Sequence, residues 1–371
     1  MRIECFKTST QRTRYLLIDD LGKPIVPVMQ FLKFKDNCGR ARNTLRAYCF
    51  HLKYFYEYLA FIEKGFDEIG IDELAGFLRW LQQGRNPRII PLVPKESARS
   101  AKTINVYLGT VYEFYNYLFR HEDYRIRLSD KLTFKMPNSR RGFKDFLYHI
   151  NKSKYFDAKL IKLKEPRRRI KTISKDDVSK ILEACLTVRD KFLIQLLWES
   201  GMRISEALAL WLEDFEPDAR HIHIHDRGEL QNLAEIKTVC SPRILDVSSD
   251  LINLYFEYIA GAHTDEVDTN HVFIKQAGAR KHEPMEYSDV SALMLRLRNR
   301  TGIHFTPHVL RHSSLSELRR SGWPVELLQK RAGHAFVQST YIYLHPDDGE
   351  LHEQWQKSKE KMQLKKGERQ Q

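Results

Sequence analysis

Two arginines, two histidines and a tyrosine stand in short segments of this chain whose residue types and spacing can do chemistry. Gly201-Met202-Arg203-Ile204-Ser205-Glu206 places an arginine just after a helix-breaking glycine, with a glutamate three residues on. That spacing puts Arg203 and Glu206 on one helix face, where the carboxylate can orient the guanidinium. In His308-Val309-Leu310-Arg311-His312, His308 and Arg311 lie one helical turn apart. Ala332-Gly333-His334 is followed nine residues later by Tyr343, within Ser339-Thr340-Tyr341-Ile342-Tyr343-Leu344-His345. A planar guanidinium donates two parallel hydrogen bonds to the non-bridging oxygens of a phosphate, which lysine cannot do. Arg203 and Arg311 together can therefore clamp one phosphodiester. Each segment alone is common; an Arg–Glu pair by itself reads as a surface ion pair.

Taken in order, Arg, His-x-x-Arg, Gly-His and Tyr, the segments resemble the tyrosine recombinase or phage-integrase family. The motifs span about Ile173 to His345; the earlier part of the chain is similar only in helical character and position. The resemblance implies that Arg203 and Arg311 bind the phosphate, that His308 and His334 fill the paired histidine positions, and that Tyr343 is the nucleophile. It also implies a lysine on a β-hairpin. Ile236-Lys237-Thr238, followed by Pro242-Arg243-Ile244-Leu245-Asp246-Val247, resembles that hairpin, with Lys237 as general acid. Its loop is longer than the compact Gly-Lys-Gly form common in the family, so Arg227 and Arg243 remain competitors. Tyr341 is a rival nucleophile; the spacing from Gly333-His334, and Thr340 three residues before, favour Tyr343.

These residue types suit the implied reaction. A phenol titrates near 10, so its attack on phosphorus needs positive charge and a proton acceptor, for which His308 is the candidate. Arg203 and Arg311 would face the oxygens on which transition-state charge accumulates. Lys237 would protonate the departing 5′ oxygen, and His334 would hydrogen-bond a phosphate oxygen. A 3′-phosphotyrosyl bond keeps the energy of the phosphodiester, so a second DNA 5′-hydroxyl can reverse the step on a new partner without a nucleotide cofactor. No Gly-x-x-x-x-Gly-Lys-Ser/Thr phosphate loop is present, and no cofactor is expected.

The elements that position these residues follow from periodicity. A length of 371 residues exceeds the usual single core and predicts two globular units. A short strand is expected near Tyr15 to Ile18. Leu45, Tyr48, Leu52, Phe55, Leu59 and Ile62 form an apolar stripe on one helix, and Ile104, Leu108, Val111, Tyr115 and Leu118 on another. Ile71 to Leu81 is a third helix, ahead of a Gly- and Pro-containing loop. Their aromatic residues read as core, and Arg40, Arg42, Arg46 and Lys53 as phosphate contacts. Ser174 opens the second unit as an N-cap with a carboxylate at Asp177. A helix from Asp190 ends at Gly201, and alternation over His221 to His225 and again within Ile236 to Val247 predicts a small antiparallel sheet. Helices return from Leu251.

The predicted fold is therefore mainly α with a small antiparallel β-sheet. The resemblance makes it an N-terminal helical, SAM-like core-binding domain followed by a mixed α+β catalytic domain. The expected boundaries are an extension over 1–24, the helical DNA-binding domain over 25–130, a basic linker over 131–170, the catalytic domain over 171–346 and a tail over 347–371.

Charge points to the partner. Lys and Arg total 61 against 48 acidic residues, and the Lys131 to Lys175 window holds 15 basic and three acidic ones. Such a segment suits a phosphate backbone. Five scattered cysteines, Cys5, Cys38, Cys49, Cys185 and Cys240, without Cys-x-x-Cys spacing, indicate reduced thiols inside a cell. No leader-like or membrane-length apolar run occurs, so a cytoplasmic, nucleoid-associated prokaryotic protein is expected. His221, His223 and His225 invite a metal, but three alternate residues of one strand lie 6 to 7 Å apart (roughly) and do not converge on one ion; a solvated face is expected. Asp176-Asp177 and Asp347-Asp348 read as helix caps and turns, not as a carboxylate metal site.

The implied function is a site-specific recombinase closing around duplex DNA as a C-shaped clamp and acting as a homotetramer on two sites, with accessory DNA-bending or companion recombinase proteins as further partners. Integration, excision or transposition of a mobile element is the expected role. A type IB topoisomerase and a non-catalytic DNA-binding regulator are the alternatives. The small helical first domain speaks against the first, and Tyr343 together with both arginines against the second.

Overall fold

The computed structural model describes residues 1–83, 97–121, 124, 133–137, 155–159, 161–166, 171–236, 240–341, 355–356 and 358–359; Lys237 and Tyr343 lie outside them. The chain divides into two units, Met1–Arg167 and Arg168–Gln371.

In the first unit, strands β1 (Arg2–Lys7) and β2 (Thr13–Ile18) form an antiparallel hairpin, and four helices follow: α1 (Val26–Asn37), α2 (Arg42–Ile62), α3 (Ile71–Gln83) and α4 (Ala101–Arg120). The hairpin packs on α2 through β2, burying Leu17, while β1 is largely exposed. Leu52, Phe55 and Leu59 of α2 share one core with Ile104, Leu108, Val111, Tyr115 and Leu118 of α4, Leu45 is also buried, and Tyr48 and Ile62 are half-buried at the core's edge. Aromatic rings fill the centre: Phe55 meets Phe77 and Tyr115 edge-on, at centroid distances of 5.2 and 5.9 Å. The Tyr115 hydroxyl donates to the Phe66 carbonyl (2.7 Å), the partner a buried phenol requires. Arg40 and Arg46 are exposed, but Arg42 is buried and is not a surface phosphate contact. A second hairpin pairs β3 (Thr133–Pro137) with β4 (Tyr155–Lys159). Residues 161–163 run along α4, where Asn105 accepts from Leu163 N–H and donates to its carbonyl.

The second unit is built around α6 (Val188–Ser200), preceded by α5 (Lys175–Glu183). Helix α5 starts on the predicted capping box, with the Ser174 hydroxyl and Asp177 carboxylate each accepting the other's backbone N–H. Phe192, Leu193, Ile194, Leu196 and Leu197 bury α6 on nearly every side, as a helix apolar all round must be. It ends at Gly201 in a left-handed conformation (φ +62°), where an added Cβ would lie 3.2 Å from the Ser314 hydroxyl. The short helix α7 (Ile204–Leu208) leads into a three-stranded antiparallel sheet of β5 (Phe215–Glu216), β6 (His221–Ile224) and β7 (Arg243–Asp246). Ile222, Ile224 and Leu245 face the core. Helices α8 (Ser249–Ala262), α9 (Tyr287–Thr301), α10 (Pro307–Arg320), α11 (Val325–Ala332) and α12 (Gln338–Tyr341) complete it. Thr306 caps α10, with Pro307 at its first position, and α11 closes at Gly333 (φ +61°) with the His334 N–H returned to the Gln329 carbonyl.

Candidate active site

A helix start and a strand start converge on one carboxylate. Arg203 immediately precedes α7; its backbone N–H donates to Glu206 Oε2 and its Nη1 to Glu206 Oε1, both at 2.8 Å. From β7, Arg243 donates Nη2 to Oε2 (2.9 Å) and Nη1 to Oε1 (3.2 Å) of the same glutamate. Glu206 is 1% exposed. Burial pushes its carboxyl up, but the hydrogen bond and charge of Arg243, followed by the backbone N–H and charge of Arg203, outweigh this and bring it down to about 2.

The C-terminal end of α11 supplies the second anchor. Helix ends leave unpaired carbonyls carrying partial negative charge, and here guanidinium groups take them. Arg311 Nη2 donates to the Ala332 carbonyl (2.6 Å), Arg203 Nη2 to that of Gly333 (3.1 Å) and Arg243 Nε to that of Arg331 (2.7 Å). Arg311 Nη1 reaches back to the Gly201 carbonyl at the end of α6 (2.7 Å). Three guanidinium groups against one carboxylate leave the centre strongly electropositive, suited to an anion with planar oxygens.

His334 extends the cluster. Arg311 Nη2 lies 2.9 Å from its Nε2 and Thr340 Oγ1 lies 2.9 Å from its Nδ1. A guanidinium only donates, so Nε2 accepts and Nδ1 carries the proton, given to Thr340. Burial first, then the charges of Arg311, Arg203 and Arg243, lower the ring to about 4 against an opposing pull from Glu206. On α10, His308 is exposed and shares a 2.6 Å Nε2–Nε2 hydrogen bond with His312, one turn on. His312 is also lowered to about 4, by burial and then by the charges of His308 and Arg311.

The structure brings Arg203, Glu206, Arg311 and His334 together, with His308 one turn from Arg311. Lys237 and Tyr343 fall outside the described residues. The two competitors for the acid are both engaged: Arg243 grips Glu206, and Arg227 pairs with both oxygens of Asp214 (3.0 and 2.6 Å) and stacks on Trp211, 4.3 Å from the ring centroid. Sequence reasoning missed His312, Thr340 and the role of Arg243. The i, i+4 spacing of His308 and His312 was a usable signal; nothing local links Arg243 to a glutamate 37 residues earlier.

Two measurements follow from these contacts. Glu206→Ala leaves Arg203 and Arg243 facing each other without their shared anion, and breaking a buried pair from one side costs about 3 to 5 kcal/mol. Urea unfolding should show a loss of that size for the second unit, and an unchanged midpoint would refute the anchoring role. The two depressed histidines set a pH dependence. In the unfolded chain they take up protons near 6.5, whereas the folded rings hold out to about 4. Protons therefore favour the unfolded state, and stability falls as pH drops through 6.5 towards 4. Each ring contributes a loss on the order of 2 kcal/mol at pH 5 relative to pH 7. Denaturation midpoints that stay level between pH 7 and 5 would contradict it.

The fold and this arginine–histidine centre define a tyrosine-type DNA strand-transferring enzyme. The chain belongs to the phage integrase family: residues 171–350 match that family, and residues 28–122 match its N-terminal SAM-like domain. It is 36% identical over 353 residues to transposase A from transposon Tn554 of Staphylococcus aureus, covering 95% of this chain and 96% of that protein. It is 24% identical over 332 residues to tyrosine recombinase XerD of Oceanobacillus iheyensis, covering 86% and 92%. Two solved structures share the fold. The XerH site-specific recombinase in a post-cleavage complex with palindromic difH substrate has a TM-score of 0.58 at 20% identity, covering 84% of this chain and 79% of that one. The Tn1549 transposon integrase with circular intermediate DNA also has a TM-score of 0.58, at 17% identity, covering 89% and 98%. Among the described residues, no helix is long and apolar enough to cross a membrane.

Proposed function

We propose that the chain moves a transposon by cutting and rejoining duplex DNA at specific sites, with Tyr343 attacking a phosphodiester held by Arg203 and Arg311. The observation that carries this reading is the convergence of the two arginines on the end of α11, both within reach of the Ala332 carbonyl (3.4 and 2.6 Å). A phosphate replacing these carbonyls as acceptor would meet two guanidinium forks already oriented, so little reorganisation accompanies the reaction. Likeness along the whole chain to a Tn554 transposase supports transposition as the role.

In the reaction, the bond from Tyr343 Oη to phosphorus forms as the bond from phosphorus to O5′ breaks. His308 takes the phenolic proton, and Lys237 gives one to the departing O5′. His312 has a definite part in this scheme. By accepting the Nε2 proton of His308, it leaves the His308 Nδ1 lone pair as the proton acceptor. His334 holds Arg311 through Nε2 until the phosphate arrives; the ring then takes the other tautomer, accepting from the Thr340 hydroxyl at Nδ1 and donating Nε2–H to a phosphate oxygen. Both domains contact the duplex, and four protomers join two sites. Accessory DNA-bending or companion recombinase proteins complete the assembly, which works in the cytoplasm on the nucleoid.

The test is incubation of the full chain, with chelator and without ATP, on nicked suicide duplexes carrying the ends of the element that encodes it. A denaturation-resistant adduct at the DNA 3′ end, confined to those ends, is the expected result. Relaxation of supercoiled plasmid lacking the ends would favour a topoisomerase, and specific binding without adduct would favour a regulator.

A further inference from the structure

The solvent face of the three-stranded sheet carries a cluster that the phosphoryl-transfer reading leaves unused. Glu216 on β5 is the direct cross-strand partner of His221 on β6, and His221 is the partner of Asp246 on β7. His223, two residues along β6, lies on the same face because strand side chains alternate; Ile222 and Ile224 take the opposite face, in the core. Glu216 Oε2 is 3.1 Å from His223 Nε2 and 3.8 Å from His221 Nδ1. Ligating atoms of all three residues lie within 4.8 Å of one another.

The geometry points to a divalent transition-metal site of the zinc class, with Glu216, His221 and His223 as ligands. Bonds of about 2.0 Å in a tetrahedral shell place neighbouring ligand atoms roughly 3.3 Å apart, and the two carboxylate–imidazole separations already bracket that value. His221 Nε2 lies 3.1 Å from Asp246 Oδ1. A proton held there leaves the Nδ1 lone pair facing Glu216, the carboxylate–histidine–metal arrangement that orients a ligating ring. Two carboxylates offset the charge of a dication, and imidazole with carboxylate suits zinc, with copper and nickel binding at least as well. The side chains of Glu216, His221 and His223 are 55%, 33% and 30% exposed, so water fills the remaining coordination positions.

Three alternate histidines of one strand do not share an ion, and His225 indeed turns elsewhere, stacking on His223 and lying 3.8 Å from buried Asp214. The third ligand comes instead from the neighbouring strand, which spacing along β6 does not reveal. A bound ion ties β5 to β6 directly and to β7 through Asp246. Because β7 begins at Arg243, which grips Glu206, the ion braces the sheet that supports the arginine centre from its solvent side.

The full chain, stripped with chelator, would be titrated with zinc against a chromophoric competitor, and with cobalt for visible absorption. One ion with a Kd below about 100 µM is expected, weakened at least tenfold in Glu216→Gln and in the double variant His221→Gln/His223→Gln, and unchanged in His225→Gln. Zinc at saturating concentration should raise the melting temperature by about 3 °C or more in wild type and not in the double variant. Circular dichroism of each variant should match that of wild type, which checks that these surface substitutions leave the fold intact. Equal stoichiometry and affinity in the double variant, or a Kd above about 100 µM in wild type, would overturn the site. Because binding is read directly, neither outcome depends on whether the chain recombines DNA.

Discussion

Tyr343→Phe is expected to bind its DNA sites with unchanged affinity and to form no covalent adduct at all. The substitution removes one oxygen and keeps the ring, so packing is preserved while the only atom that can bond to phosphorus is gone. Tyr341→Phe is the matched control, two residues away and on the described structure: Tyr341 ends α12 and is half exposed. Its adduct yield should equal that of wild type. Gel separation under denaturing conditions, on the same nicked duplex, distinguishes the two. Adduct persisting in Tyr343→Phe and disappearing in Tyr341→Phe would transfer the nucleophile to Tyr341. Persistence in both would remove the α12 segment from the chemistry.

Arg203→Lys should lower the single-turnover cleavage rate by about two to three orders of magnitude while changing DNA affinity only a few-fold. Lysine keeps the positive charge, so long-range attraction to DNA survives. What is lost is the planar fork that presents two donors to two phosphate oxygens. Glu206 retains Arg243, its strongest partner, so the folded state should be affected far less than by Glu206→Ala. The comparison separates charge from geometry. A cleavage rate within threefold of wild type would mean that charge alone suffices and that Arg203 is chiefly an anchor for α7. A large drop in melting temperature with a matching loss of binding would assign it to structure instead of chemistry.

Much of the fold was legible in the order of the residues. The helical stripes of α2 and α4, the capping box at Ser174, the break at Gly201 and the alternation of β6 are local signals, each dictated by interactions within about one turn of helix or one strand pair. The same holds for Arg203 with Glu206, whose i, i+3 spacing alone brings them into contact. Many aromatic residues of the first unit, Phe31, Phe55, Phe77, Phe114 and Tyr115 among them, followed expectation into the core, whereas Phe50, Phe61 and Phe119 stay exposed on the same helices. Arg42 did not stay on the surface with Arg40 and Arg46, because its position on α2 turns it inward, which charge by itself does not disclose.

What sequence alone determined, then, was the set of reactive residue types, their order and the local elements that carry them. Tertiary structure decided how they are wired together. Glu206 serves two arginines, one at the start of its own helix and one from a strand 37 residues on. The end of α11 gathers Arg203, Arg243 and Arg311 because exposed helix carbonyls need donors, and those donors come from three different elements. Glu216 joins His221 and His223 only through strand pairing. Such contacts depend on which elements pack together, a global outcome of burying one shared core, and no periodicity along the chain encodes them.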